Sequence, residues 1–217
     1  MKKIIAEFFG TALITIAVIG SAIMASIWTK DGAVWLLVNM VSTVAALYIA
    51  INLFSEISGA HFNPVVSFVV ALSRGISWRE FFEYLAAQFI GAIVGATLAQ
   101  ALFNSPILVL SSIDREGLNI FGAETLASFG LVLIAIASWR YFETQQRAIL
   151  IVLWIASAYF FTSSTSFANP AVSFGRIFTD SLAGISPSSF LLFTLAQVVG
   201  GLLAFAFNRY LTREVRK

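Results

Sequence analysis

Six apolar runs, at roughly residues 4–27, 33–54, 79–103, 121–140, 147–162 and 186–210, limit what this chain can fold into. Each approaches or exceeds the length a helix needs to cross the hydrocarbon core of a bilayer. No water reaches that core, so each run must satisfy its own backbone N–H and C=O groups, and a helix does so. The chain is 59% hydrophobic and only 11% charged, against about 25% charged in a soluble globule. The expected fold is an all-α polytopic membrane protein, a single domain over 1–217 with no soluble domain beside it. The first run has the basic start and small-residue end of a secretory signal. Its apolar stretch is too long for one and encloses Glu7, so it is read as a retained span.

The sequence has no cysteine, which removes disulfides, thiolate metal sites and cysteine nucleophiles. A net charge of +2 could point to nucleic acid, but the placement of the charges points to membrane orientation instead. With six spans and both termini cytoplasmic, Lys2, Lys3, Arg74, Arg79, Arg140, Arg147, Arg209, Arg213, Arg216 and Lys217 fall inside. Only Lys30, Arg115 and Arg176 fall outside, which is a positive-inside bias. The expected location is the plasma (inner) membrane, with the lipid bilayer as partner and no nucleic acid.

Between the spans the chain repeats itself. GAHFNPVVSFV at 59–69 is echoed by SFANPAVSFGR at 166–176, with the two Asn-Pro pairs 106 positions apart. AEFFGTALI at 6–14 is echoed at 123–134, which places Glu7 over Glu124; AAQFIGAIVGA at 86–96 is echoed at 195–205, which places Gln88 over Gln197. Each half reads as span, span, short Asn-Pro segment, span: repeat 1 over 1–103, an extracellular loop over 104–120, repeat 2 over 121–217. An odd number of spans per half forces the halves to insert in opposite directions, an inverted-topology repeat. The segments from Pro64 and Pro170 are too short to cross a bilayer but start as helices should. Asn63 and Asn169 are good N-caps, and Pro64 and Pro170 suit the first helical position. Two half-helices entering from opposite faces meet N-terminus to N-terminus near the midplane, where irregular backbone survives only if it lines a cavity or is buried in protein. Small residues at Gly91 and Gly95, and at Gly200 and Ala204, allow close helix packing.

The paired boxes, SGAHFNP after the second span and the AEFFGT opening together resemble the aquaporin, or major intrinsic protein, family over essentially the whole chain. The resemblance is to a divergent bacterial aquaglyceroporin-like member. It implies six transmembrane helices plus two half-helices per subunit, a pore within each subunit and a homotetramer. It further implies passive conduction of water and small neutral solutes, with no cofactor and no metal. The pore centre carried over is Asn63, Pro64 and Val65 with Asn169, Pro170 and Ala171; Val65 departs from the usual alanine. Val172 stands where most members carry the filter arginine, and Arg176 where a proline is usual. Counting from the boxes places the filter at Thr43, Ser157, Ser166 and Val172: uncharged, without an aromatic, and wide enough for glycerol, urea and metalloid acids such as arsenite. The alternative is a filter collapsed by neighbouring phenylalanines such as Phe167, giving a narrow water-selective channel.

Other residues carry two readings each. Asn63 and Asn169 are caps whose amide N–H groups also face the pore. His61, the only histidine, borders the cytoplasmic pore mouth or is a satisfied buried residue. Glu7 and Glu124 are intramembrane carboxylates read as structural acceptors for pore-loop N–H groups rather than as an acid–base pair. Arg176 is placed in the outer vestibule as a steering charge, or else as an anchor for loop 104–120. A gated or proton-coupled transporter for small acids is the second functional class, since broken helices in inverted repeats serve transporters too. A junctional protein with a vestigial pore is the third. An enzyme is not expected: there is no cysteine, no histidine pair, and no serine beside a plausible base.

Overall fold

The computed structural model describes residues 1–139 and 141–214. Arg140, Arg216 and Lys217, counted above for orientation, lie outside the described residues, as does the side chain of Arg213. Among the described residues six long helices and two short ones follow one another: α1 (Lys2–Trp28), α2 (Gly32–Ser58), α3 (Pro64–Leu72), α4 (Trp78–Leu102), α5 (Leu118–Ser138), α6 (Thr144–Phe161), α7 (Pro170–Arg176) and α8 (Pro187–Glu214). Five of the long ones are apolar and long enough to cross a membrane. The exception, α6, has 18 residues and opens on the polar turn Thr144-Gln145-Gln146-Arg147.

Caps fix several of the boundaries. Asp31 accepts from the N–H groups of Ala33 and Val34 at the start of α2, and a Ser77–Glu80 capping box opens α4. Gly59 ends α2 in the left-handed region at φ 86°, where a Cβ would also press on His61 and Trp139.

Packing follows the repeat. Helix α1 lies against α4 as α5 lies against α8, and α2 and α6 close the ring. Gly91 faces the carbonyl oxygen of Phe8 and Gly200 that of Thr125, both too close for any side chain, so the same close approach occurs once per half. The N-terminus, the α2–α3 loop and the α3–α4 turn share one end, here the termini side. The 103–117 loop lies at the other, the loop side, where Ser111 N bonds Ile177 O at 2.8 Å and Ser186 N bonds Ile113 O at 2.8 Å.

Candidate functional site: a narrow passage between the half-helices

Asn63 and Asn169 cap α3 and α7 with their own side chains. Asn63 Oδ1 accepts from Val65 N, and Asn169 Oδ1 from Ala171 N and Val172 N. Each amide then reaches across to the other loop: Asn63 Nδ2 donates to Ala168 O at 2.7 Å, and Asn169 Nδ2 to Phe62 O at 2.8 Å. A primary amide has two N–H donors, so each asparagine keeps one for the cavity that both line.

The chain reaches these caps through backbone that L-residues rarely adopt. Ala60 and Phe62 in the first loop, and Thr165, Ser166 and Ala168 in the second, have φ between 47° and 60°. Such residues persist only where the surroundings over-determine them, and here two buried carboxylates do so. Glu7 accepts from Ser58 Oγ, His61 N, Phe62 N and Gln88 Nε2 at 2.6–2.9 Å. Glu124 accepts from Ser164 Oγ, Phe167 N, Ala168 N and Gln197 Nε2 at 2.6–2.9 Å. Both are fully buried. The two glutamines also reach Ser67 Oγ and Ser173 Oγ, so the network recurs donor by donor in the second half.

The cavity holding the asparagines has a volume of about 80 Å³ and runs from Arg176 to His61. One water centre needs roughly 10–15 Å³, so the passage has room for a short file of waters. Its middle is apolar, with Ile14, Val18, Leu131 and Ile155 among its walls. On the termini side it meets a 40 Å³ constriction lined by Gly59, His61, Trp139 and Arg147, and then a 520 Å³ vestibule bordered by Lys3, Glu56 and Asn208. His61 lines all three spaces, its Nδ1 3.0 Å from Ser67 Oγ. Arg147 stacks over Trp139 at 4.2 Å.

On the loop side the passage is lined by Thr43, Tyr159, Ser166, Phe167, Val172 and Arg176. Three of the four counted filter residues are in that group. Ser157 is not: it is exposed on the outside of α6 and bonds Leu153 O of its own helix. The inward face of α6 is Ile151, Ile155 and Tyr159, spaced by four. Tyr159 is the residue that counting missed. Its hydroxyl lies 3.1 Å from Thr43 Oγ1 and 3.2 Å from Asn39 Oδ1. The signal was available, since a tyrosine hydroxyl inside an apolar run must find a polar partner, and Asn39 and Thr43 offer one.

Arg176 also departs from expectation. It is 3% exposed rather than free in a vestibule, its Nε bonds Ala183 O, and its guanidinium lies on the Phe167 ring at 3.2 Å. Its anchor is therefore the 177–186 loop, not 104–120, and it faces the lumen beyond Val172. With Tyr159, Phe167 and Arg176 present, the loop-side constriction is neither free of aromatics nor uncharged. Arg115 sits behind it, bonding Gly184 O and Leu182 O at 3.0 Å each. Burial pulls the Arg115 pKa below its ordinary value, against the field of Glu124. Asp180 is held below the usual carboxylate range by bonds from the backbone N–H and hydroxyl of Ser112.

Two inverted halves whose short helices meet end to end around a narrow passage define a membrane channel. The major intrinsic protein family matches residues 1–204, and the chain belongs to that family. It is 41% identical to the aquaglyceroporin AqpS of Rhizobium meliloti over 99% of this chain and 92% of that protein. It is 29% identical to a probable aquaporin, TIP2-2, of Oryza sativa subsp. japonica over 97% and 87%. The solved aquaglyceroporin of Plasmodium falciparum superposes with a TM-score of 0.79 over 95% of this chain and 94% of that one, at 19% identity, which is a likeness of fold.

Proposed function

We propose that each subunit is a passive channel for water and small uncharged solutes, gradient-driven, in a plasma (inner) membrane. The observation that carries this is the crossed pair of asparagine bonds in the wall of a narrow passage between the half-helices. Each half-helix N-terminus contributes roughly half a positive charge, so about one unit faces the midpoint from the two. That field opposes cations, while the free asparagine donors offer a waypoint to neutral oxygen-bearing solutes. The termini side is cytoplasmic and the loop side extracellular in this reading, and the subunits form a homotetramer. Similarity to proteins named aquaglyceroporin supports glycerol-sized solutes. Tyr159, Phe167 and Arg176 in the lumen favour slim ones, so flux should fall in the order water, glycerol or urea, bulkier polyols.

Stopped-flow swelling of proteoliposomes tests this. Water and glycerol permeabilities above empty liposomes, with no proton or sodium leak, are expected. Permeability equal to empty liposomes for every solute overturns the reading in favour of a vestigial pore, and uphill uptake overturns it in favour of a transporter.

A further inference from the structure

The loop-side mouth holds two guanidiniums without an ion-pair partner, although Asp114, Glu116 and Asp180 stand in the same loops. Arg176 and Arg115 both lie against the Phe167 ring, at 3.2 Å and 5.1 Å from its centroid. Among the described residues neither forms an ion pair; the two bridges found, Lys3–Glu80 and Arg79–Glu83, are elsewhere. Both guanidiniums are steadied by successive backbone carbonyls, Leu182, Ala183 and Gly184. Carbonyls supply partial charge only. The buried carboxylate whose field reaches both, Glu124, already accepts four bonds.

A buried, unpaired guanidinium is expensive to hold, and the geometry of Arg176 leaves its useful edge free. Its Nε is taken by Ala183 O and its face by Phe167, which fixes the plane and leaves the two Nη nitrogens without a hydrogen-bond partner among the described residues. In the wall of the same cavity Ser166 Oγ is buried and, among the described residues, has no hydrogen-bond partner. A planar two-donor edge, with a hydroxyl free in the same cavity, matches an acceptor with two coplanar oxygens. The passage, about 80 Å³ in volume, has room for a short tail behind such a head. Beyond Val172 the walls turn apolar, and an ion that entered them would lose its partners and its water.

We propose that the loop-side mouth binds a small carboxylate monoanion of the formate or acetate class, gripped by the Nη edge of Arg176 with Ser166 Oγ in the same cavity and Arg115 adding field. The bound anion rests at the mouth and obstructs neutral solutes. The location rests on the channel reading; the binding itself does not need flux.

Saturation-transfer NMR on the detergent-purified full chain, with sodium acetate as the probe at neutral pH, tests it. The parent should give a saturable acetate signal, displaced by formate and weakened as sodium chloride rises. Arg176→Gln should bind about tenfold more weakly, since it loses a charge-assisted bidentate contact. Arg79→Gln, an exposed surface change, should bind as the parent does. Ser166→Ala and Arg115→Gln should each weaken binding, and they carry the test if Arg176→Gln does not purify as a folded species. In proteoliposomes, external acetate should slow water entry through the parent and leave Arg176→Gln unaffected. No saturable acetate signal in the parent, or parent-like binding in both Arg176→Gln and Ser166→Ala, overturns the proposal. If vesicles show no water flux above empty ones, the channel reading fails while the NMR result still decides the binding.

Discussion

Val65 occupies the space that a side chain on Gly201 would need, its Cγ1 lying too close to any Cβ built there. The valine is the first box's departure from alanine, and the missing side chain on α8 is what admits it. Gly201→Ala should therefore overpack the contact and cost about 1–3 kcal/mol. Val65→Ala should be milder, and the double variant should recover most of the Gly201→Ala loss. A thermal-unfolding double-mutant cycle in detergent reads the coupling, expected at roughly 0.5–3 kcal/mol. Strict additivity would show that the two sites do not share this space.

The duplicated carboxylates make a symmetric prediction. Glu7→Gln and Glu124→Gln each turn an acceptor of four bonds into a group with two donors of its own, setting donor against donor. One buried group left unsatisfied costs about 1–3 kcal/mol, and at least one is lost in each variant. Both should lower the apparent melting temperature by similar amounts, measured by fluorescence-detected size exclusion after heating. A loss confined to one variant would mean that the halves do not depend on their carboxylates alike.

At the centre, Asn63→Asp and Asn169→Asp each remove the amide donor that reaches the opposite loop's carbonyl. Each also sets a full negative charge against the roughly one positive unit of the two helix ends. The expected outcome is a sodium or proton leak in liposomes loaded with a pH dye, with water flux retained but reduced. Cation exclusion unchanged in both variants would remove the asparagines from the barrier.

Much of this fold is legible in the sequence itself. Apolar length gave the six long helices, and the two Asn-Pro pairs gave the starts of α3 and α7, because asparagine caps and proline at the first position act locally. The pairing of Glu7 with Glu124 and of Gln88 with Gln197 followed from repetition alone. What failed was position across seven residues of irregular chain. Counting back from Asn169 to Ser157 crossed 162–168, where three residues are left-handed, and the count landed two residues from Tyr159. Two residues on a helix are about 200° apart, which exchanges the lumen for the outside. Arg176 was misplaced for a different reason. Its distance along α7 was right, but the carbonyl of Ala183 and the ring of Phe167 that draw it inward are tertiary partners.

The termini-side constriction yields the last prediction. Trp139 closes over Gly59 and His61, Arg147 stacks on its indole at 4.2 Å, and the space between them is only 40 Å³. Arg147 is held by Ser55 and Thr144, with Thr144 bonded in turn to Glu56, so α6 steadies the Trp139 ring that Arg147 stacks on. A Cβ at Gly59 would crowd both His61 Nε2 and Trp139 and would also strain a residue at φ 86°. Gly59→Ala should therefore lower water flux severalfold, beyond any loss of folded protein. Trp139→Ala should do the opposite, raising glycerol flux more than water flux, because the larger solute is the one a tight ring excludes. If water and glycerol rise in equal proportion in Trp139→Ala, the rate is set at the loop-side mouth, and the Arg176 variants should then show the size discrimination instead.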